Sequence, residues 1–83
     1  MVQYTVAVEG MACGMCEAHV NDAVRRAFPV RQVKSSRSRK ETVIVCDAPL
    51  DEAQLRKVID DTGYAVGEIR SAPYERRGLF GRR

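Results

Sequence analysis

Tryptophan is absent from this chain, and aromatic residues make up only 6% of it. An RNA-binding sheet stacks bases on aromatic side chains of its open face, so a nucleic-acid partner is not expected. Long apolar runs are missing as well. None approaches the length that spans a bilayer, which excludes a transmembrane segment from the expectation. The opening Met1-Val2-Gln3-Tyr4-Thr5-Val6 has no basic patch leading into an apolar stretch. No secretory signal is read there, and a cytoplasmic location is expected. His19 is the only histidine, and the 3 cysteines are an odd number with Cys13 and Cys16 close together. That is a poor disulfide framework. In a reducing compartment it suits metal binding or redox chemistry.

A dominant charge sign is also lacking in most of the chain. Lys and Arg balance Asp and Glu from Met1 to Pro73, and the whole net charge of +3 comes from Arg76, Arg77, Arg82 and Arg83 against Glu75. The body is therefore no basic nucleic-acid binder. Its 83 residues, 45% of them hydrophobic and 30% charged, suit one small globular domain.

Periodicity supplies the elements. Residues 3–8 alternate as a strand through Tyr4, Val6 and Val8, and residues 14–27 carry a helical stripe of Val20, Ala23, Val24 and Ala27. Pro29 helps end that helix. Residues 30–36 and 41–46 read as strands joined by the polar turn Ser35-Ser36-Arg37-Ser38-Arg39-Lys40, a solvated hairpin tip. The phase of the third strand is open: either Val43 and Val45 face inward, or Thr42, Ile44 and Cys46 do. Asp51 fits a helix N-cap with Gln54 three residues on, and Leu50 and Leu55 are spaced as a hydrophobic staple. Leu55, Val58, Ile59 and Thr62 continue the apolar stripe, Gly63 stops the helix, and residues 65–70 read as a last strand. The order βαββαβ is that of an α+β ferredoxin-like sandwich, an antiparallel sheet with two helices on one face.

The chemistry sits at the junction of the first strand and helix, in Gly10-Met11-Ala12-Cys13-Gly14-Met15-Cys16. A helix N-terminus favours the thiolate, which is both a nucleophile and a soft-metal ligand. Glu17 stands where c-type haem attachment needs a histidine. A closed zinc site needs four ligands, and no second Cys-x-x-Cys or His pair completes one. A dithiol oxidoreductase is the catalytic rival; it would want a larger domain and a proline facing the motif. What remains is an exposed two-thiolate site. Cu(I), a soft ion that accepts few donors, fits it better than Zn(II).

The same seven residues resemble the Gly-Met-x-Cys-x-x-Cys motif of heavy-metal-associated domains, which include small bacterial copper chaperones and the N-terminal domains of copper-transporting P-type ATPases. The resemblance spans about residues 3–69 and extends to Asp60-Asp61-Thr62-Gly63-Tyr64, similar to the family's acidic-x-x-Gly-Tyr segment. It implies Cys13 and Cys16 as metal ligands, Met11 as a hydrophobic tether under the loop, and Tyr64 beside the site. It also implies Thr42, Ile44 and Cys46 facing inward. Ala12 stands where zinc and cadmium transporters often carry Asp, and Tyr64 where eukaryotic copper chaperones usually carry Lys. Both tilt the implied metal toward Cu(I), with Zn(II), Cd(II) or Hg(II) as alternatives. Mercury-binding periplasmic relatives share the motif but carry a signal peptide. Met15, between the two cysteines, and His19, three residues after Cys16, are accessory ligand candidates, and Cys46 reads as core.

The expectation is a non-enzymatic copper-binding protein that hands Cu(I) to a copper-transporting P-type ATPase or another Cys-x-x-Cys partner. A metal-bridged homodimer is a further possibility, through His19 in particular. Residues 1–71 would form the heavy-metal-associated domain and residues 72–83 a basic flexible tail.

Overall fold

A computed structural model describes residues 1–73 of the chain. The Arg-rich tail lies outside the described residues. Six elements follow the expected order: β1 (Val2–Glu9), α1 (Gly14–Ala27), β2 (Val30–Ser36), β3 (Glu41–Cys46), α2 (Glu52–Asp60) and β4 (Ala65–Pro73). The strands form one antiparallel sheet in the order β2-β3-β1-β4. This is the ferredoxin-like arrangement.

One face of the sheet carries the core. Tyr4, Val6 and Val8 of β1 meet Val20 and Val24 of α1, Leu55 and Ile59 of α2, and Val33 and Ile44 of the neighbouring strands. Strand alternation and the helical repeat each bury one set of side chains, and the two sets meet in a single cluster. In β3 the inward set is Thr42, Ile44 and Cys46, all fully buried, while Val43 is half-buried. Thr42 is tolerated there because its hydroxyl has a partner. Ser35 Oγ lies 2.9 Å from Thr42 Oγ1 and donates to Asn21 Oδ1 at 2.7 Å, a short polar chain beneath α1.

The helix ends follow local chemistry. Asp51 caps α2 by accepting from the amides of Ala53 and Gln54. Leu50, just before it, packs on the core near Leu55. Tyr4 holds that entry loop from the sheet side, its hydroxyl accepting from Leu50 N at 2.8 Å and donating to Leu50 O at 3.1 Å. Gly63 takes a φ of +101° after α2, a conformation that disfavours any residue with a Cβ.

Two expectations need correction. Ala27 was expected in the buried stripe of α1 but is exposed, because the chain leaves the helix at Phe28, which takes up the packing against the core. The last strand was expected to end at residue 70 but runs to Pro73, past the expected domain boundary at 71. Pairing with β1 carries it there, with Val2 opposite Pro73. Periodicity misses this extension because Arg70, Ser71, Ala72 and Pro73 bury nothing, and the ladder alone holds them.

Candidate metal centre

The cysteine loop is set by its two ends. Gly10 turns the chain out of β1 with a φ of +102°. A Cβ there would lie 3.2 Å from Cδ1 of Tyr64, so glycine is needed both for the turn and for the approach of that ring. Met11 then drops back into the core and is buried. At the far end Cys13 is the N-cap residue of α1, and its carbonyl accepts from the amides of Cys16 and Glu17. The loop between is thus tied down by Met11 and by the first helical turn, and the sulfurs stand at its crest.

Cys13 is exposed and Cys16 half-buried, both free thiols, with their Sγ atoms 3.4 Å apart. The pair is asymmetric in chemistry as well. The Cys16 thiol is lowered from 9.0 to about 7, chiefly by a hydrogen bond from the Tyr64 side chain, then by the Ala12 backbone and the Cys13 thiol and backbone. The Tyr64 hydroxyl is raised in turn, first by that same bond to Cys16 and then by burial. The two shifts have one physical origin: a phenol that keeps its proton and donates it to a thiolate.

Sheet register brings Tyr64 there. Glu9 at the end of β1 pairs with Ala65 at the start of β4, which sets Tyr64 beside Gly10 at the mouth of the loop. His19 meets the same ring edge-on, at a centroid distance of 6.3 Å and an interplanar angle of 83°. Met15 is 82% exposed. Cys46 is far from this chemistry: it is buried in the core, where desolvation, followed by the Asp47 charge, pushes its thiol up. Among the described residues no group of three or more His, Cys, Asp and Glu side chains converges to hold a metal ion, so His19 does not complete a set with the two cysteines.

One neighbour escaped sequence reading. The β2–β3 turn is not a purely solvated tip, because Glu17 Oε2 accepts the Arg37 backbone amide at 2.8 Å. The Arg37 guanidinium reaches Gly14, with Nη1 3.6 Å from where a Cβ of that residue would be. Nothing local in the sequence signals this contact between residues twenty apart; it follows from α1 packing against β2.

The donor set suits a thiophilic ion held by few ligands. A metal–sulfur bond of about 2.3 Å would place two sulfurs about 4.6 Å apart in a linear bis-thiolate. Reaching that spread from 3.4 Å needs the cysteine side chains to turn, and Cys13 is exposed.

Comparison with known proteins agrees with this chemistry. The profile of the heavy-metal-associated domain matches residues 5–65. A mercuric reductase of Lysinibacillus sphaericus is 32% identical over 69 residues, which cover 83% of this chain but 12% of that protein. The chain therefore corresponds to a small part of that enzyme's length. Among solved structures, a copper-binding domain from the P-type ATPase HMA7 is 25% identical with a TM-score of 0.74, over 84% of this chain and 95% of that one. The CopZ metallochaperone is 27% identical with a TM-score of 0.72, over 78% and 98%. The N-terminal domain of ZntA in its Zn(II) form is 27% identical with a TM-score of 0.71, over 89% and 96%. With residues 5–65 matched by the family's profile, the chain belongs to the heavy-metal-associated domain family.

Proposed function

We propose that Cys13 and Cys16 bind Cu(I) and pass it to a partner carrying a similar thiol pair, a copper-transporting P-type ATPase being the best candidate. The observation that carries this reading is an exposed thiol pair 3.4 Å apart with no third convergent ligand among the described residues. Two soft donors satisfy Cu(I), whereas Zn(II) seeks four. The absence of an acidic residue at Ala12, immediately before the first cysteine, also supports the monovalent ion.

Exposure supports transfer as well. A partner thiolate can add to an ion held by only two sulfurs, and one sulfur of this chain then leaves, with the oxidation state of the metal unchanged. Affinity and exchange coexist because no step exposes a bare ion. The same openness admits a metal-bridged homodimer. The three free thiols favour a reducing compartment, in keeping with the cytoplasm. Met11 serves as the tether of the loop, Tyr64 as the hydroxyl that tunes Cys16, and the unit that does this work is a single domain that takes in β4 to Pro73.

A second reading has an observation behind it. The likeness to a mercuric reductase favours Hg(II), another soft ion that two thiolates satisfy. An anaerobic competition against a strong Cu(I) chelator decides, run on the native protein and on Cys13→Ser and Cys16→Ser. Tight Cu(I) binding lost in both variants is expected. Equal weak binding in all three would sink the proposal, and turnover in a disulfide-reduction assay without tight binding would turn it toward dithiol redox chemistry.

A further inference from the structure

We infer that the Arg37 guanidinium is a built-in counter-charge to the loaded cysteine pair and tilts the site toward a monovalent over a divalent ion. This rests on the reading of Cys13 and Cys16 as the dithiolate site.

One hydrogen bond holds the Arg37 main chain, and its exposed guanidinium stands beside the cysteine loop. Its backbone amide donates to Glu17 Oε2 at 2.8 Å, joining the β2–β3 turn to the first turn of α1. Its Nη1 lies over Gly14, the residue that follows Cys13 in the loop. The ion pairs of the described residues join Arg25 to Asp22, Arg31 to Asp47, Arg39 to Glu41 and Lys57 to Asp61, and none engages Arg37. Glu17 meets the Arg37 main chain rather than its guanidinium. A cation without a carboxylate partner among the described residues thus stands beside Gly14, the residue between Cys13 and Met15.

The consequence follows from charge alone. Two thiolates around a monovalent ion carry one net negative charge; around a divalent ion they carry none. Whatever the charge of the empty site, the two loaded states differ by one unit, and a neighbouring cation stabilises the monovalent state relative to the divalent one. At the rim of a solvent-exposed site such a charge is worth about three- to tenfold in relative affinity at low salt, and less as salt screens it. Sequence and spacing give no hint of this, because Arg37 reaches the loop only through the packing of the turn on α1.

The test compares Cu(I) and Hg(II) affinities, each by competition with a chelator, in native protein, Arg37→Ala, Arg37→Lys and Arg37→Glu. The expected result is a Cu(I)-to-Hg(II) affinity ratio that falls about three- to tenfold in Arg37→Ala. It falls further in Arg37→Glu, is retained in Arg37→Lys, and loses its sensitivity to residue 37 at high salt. A merely structural role would weaken both ions alike. A ratio unchanged across the four proteins, or equal losses for both ions, overturns the inference. Cys13→Ser and Cys16→Ser are run beside them: if native-like binding of both ions survives there, the dithiolate reading itself fails, whatever Arg37 does.

Discussion

A thiol lowered to about 7 is half ionised at neutrality, where an ordinary cysteine is almost wholly protonated, and at Cys16 the largest share of that shift comes from one hydroxyl. Removing it gives a clean expectation. In Tyr64→Phe the thiolate of Cys16 loses its main donor, so its titration moves up toward 9.0. Alkylation at Cys16, followed against pH by peptide mass, is half-maximal near pH 7 in the native protein and at a higher pH in the variant. A midpoint that does not move would show that the amides of the loop hold the thiolate by themselves. Gly10 is the other residue on which the site depends. Its φ of +102° disfavours a Cβ, and a methyl group there would stand 3.2 Å from the Tyr64 ring and push it aside. Gly10→Ala is expected to cost about 1–3 kcal/mol in urea unfolding, and to raise the Cys16 titration as the ring shifts. These two roles are not equally visible in a sequence. The glycine and tyrosine belong to a recognisable motif, but the hydrogen bond between Tyr64 and Cys16 depends on β4 pairing with β1, which no local pattern spells out.

At the scale of elements, the strand β3 tests how the core is assembled. Its alternation admits two phases differing by one residue, and periodicity cannot choose between them, because both faces carry apolar side chains. Core contacts resolve it: Ile44 and Cys46 belong to the main cluster, whereas Val43 is half-buried and Val45, though buried, lies outside that cluster. Ile44→Ala should therefore cost about 2–5 kcal/mol of stability in chemical denaturation. Val43→Ala should cost clearly less, and the reverse order would mean the phase is wrong. Helix boundaries were more legible, because Asp51, Gly63 and Pro29 each carry local chemistry that acts wherever the residue stands. The end of β4 and the exposure of Ala27 were not legible. The first depends on a ladder with β1, and the second on which way Phe28 leaves the helix.

For the whole molecule, the sheet and its two helices serve to hold one loop. Met11 anchors it from below, α1 directs its amides toward it, β4 delivers Tyr64 from one side, and the β2–β3 turn delivers Arg37 from another. No helix of the described residues is long and apolar enough to cross a membrane. The convergence of these parts on one exposed and one half-buried sulfur fits the proposed carrier, which must hold a soft ion and still release it. An ion bound to the folded state alone also stabilises the fold, by about 2.7 kcal/mol at a hundredfold excess over the dissociation constant. The most direct measurement is an anaerobic Cu(I) titration read by mass in solution, on the native protein and on Cys13→Ser and Cys16→Ser. The account predicts saturation at one Cu(I) per chain in the native protein and loss of that uptake when either sulfur is removed. Uptake that persists undiminished in both variants would contradict it.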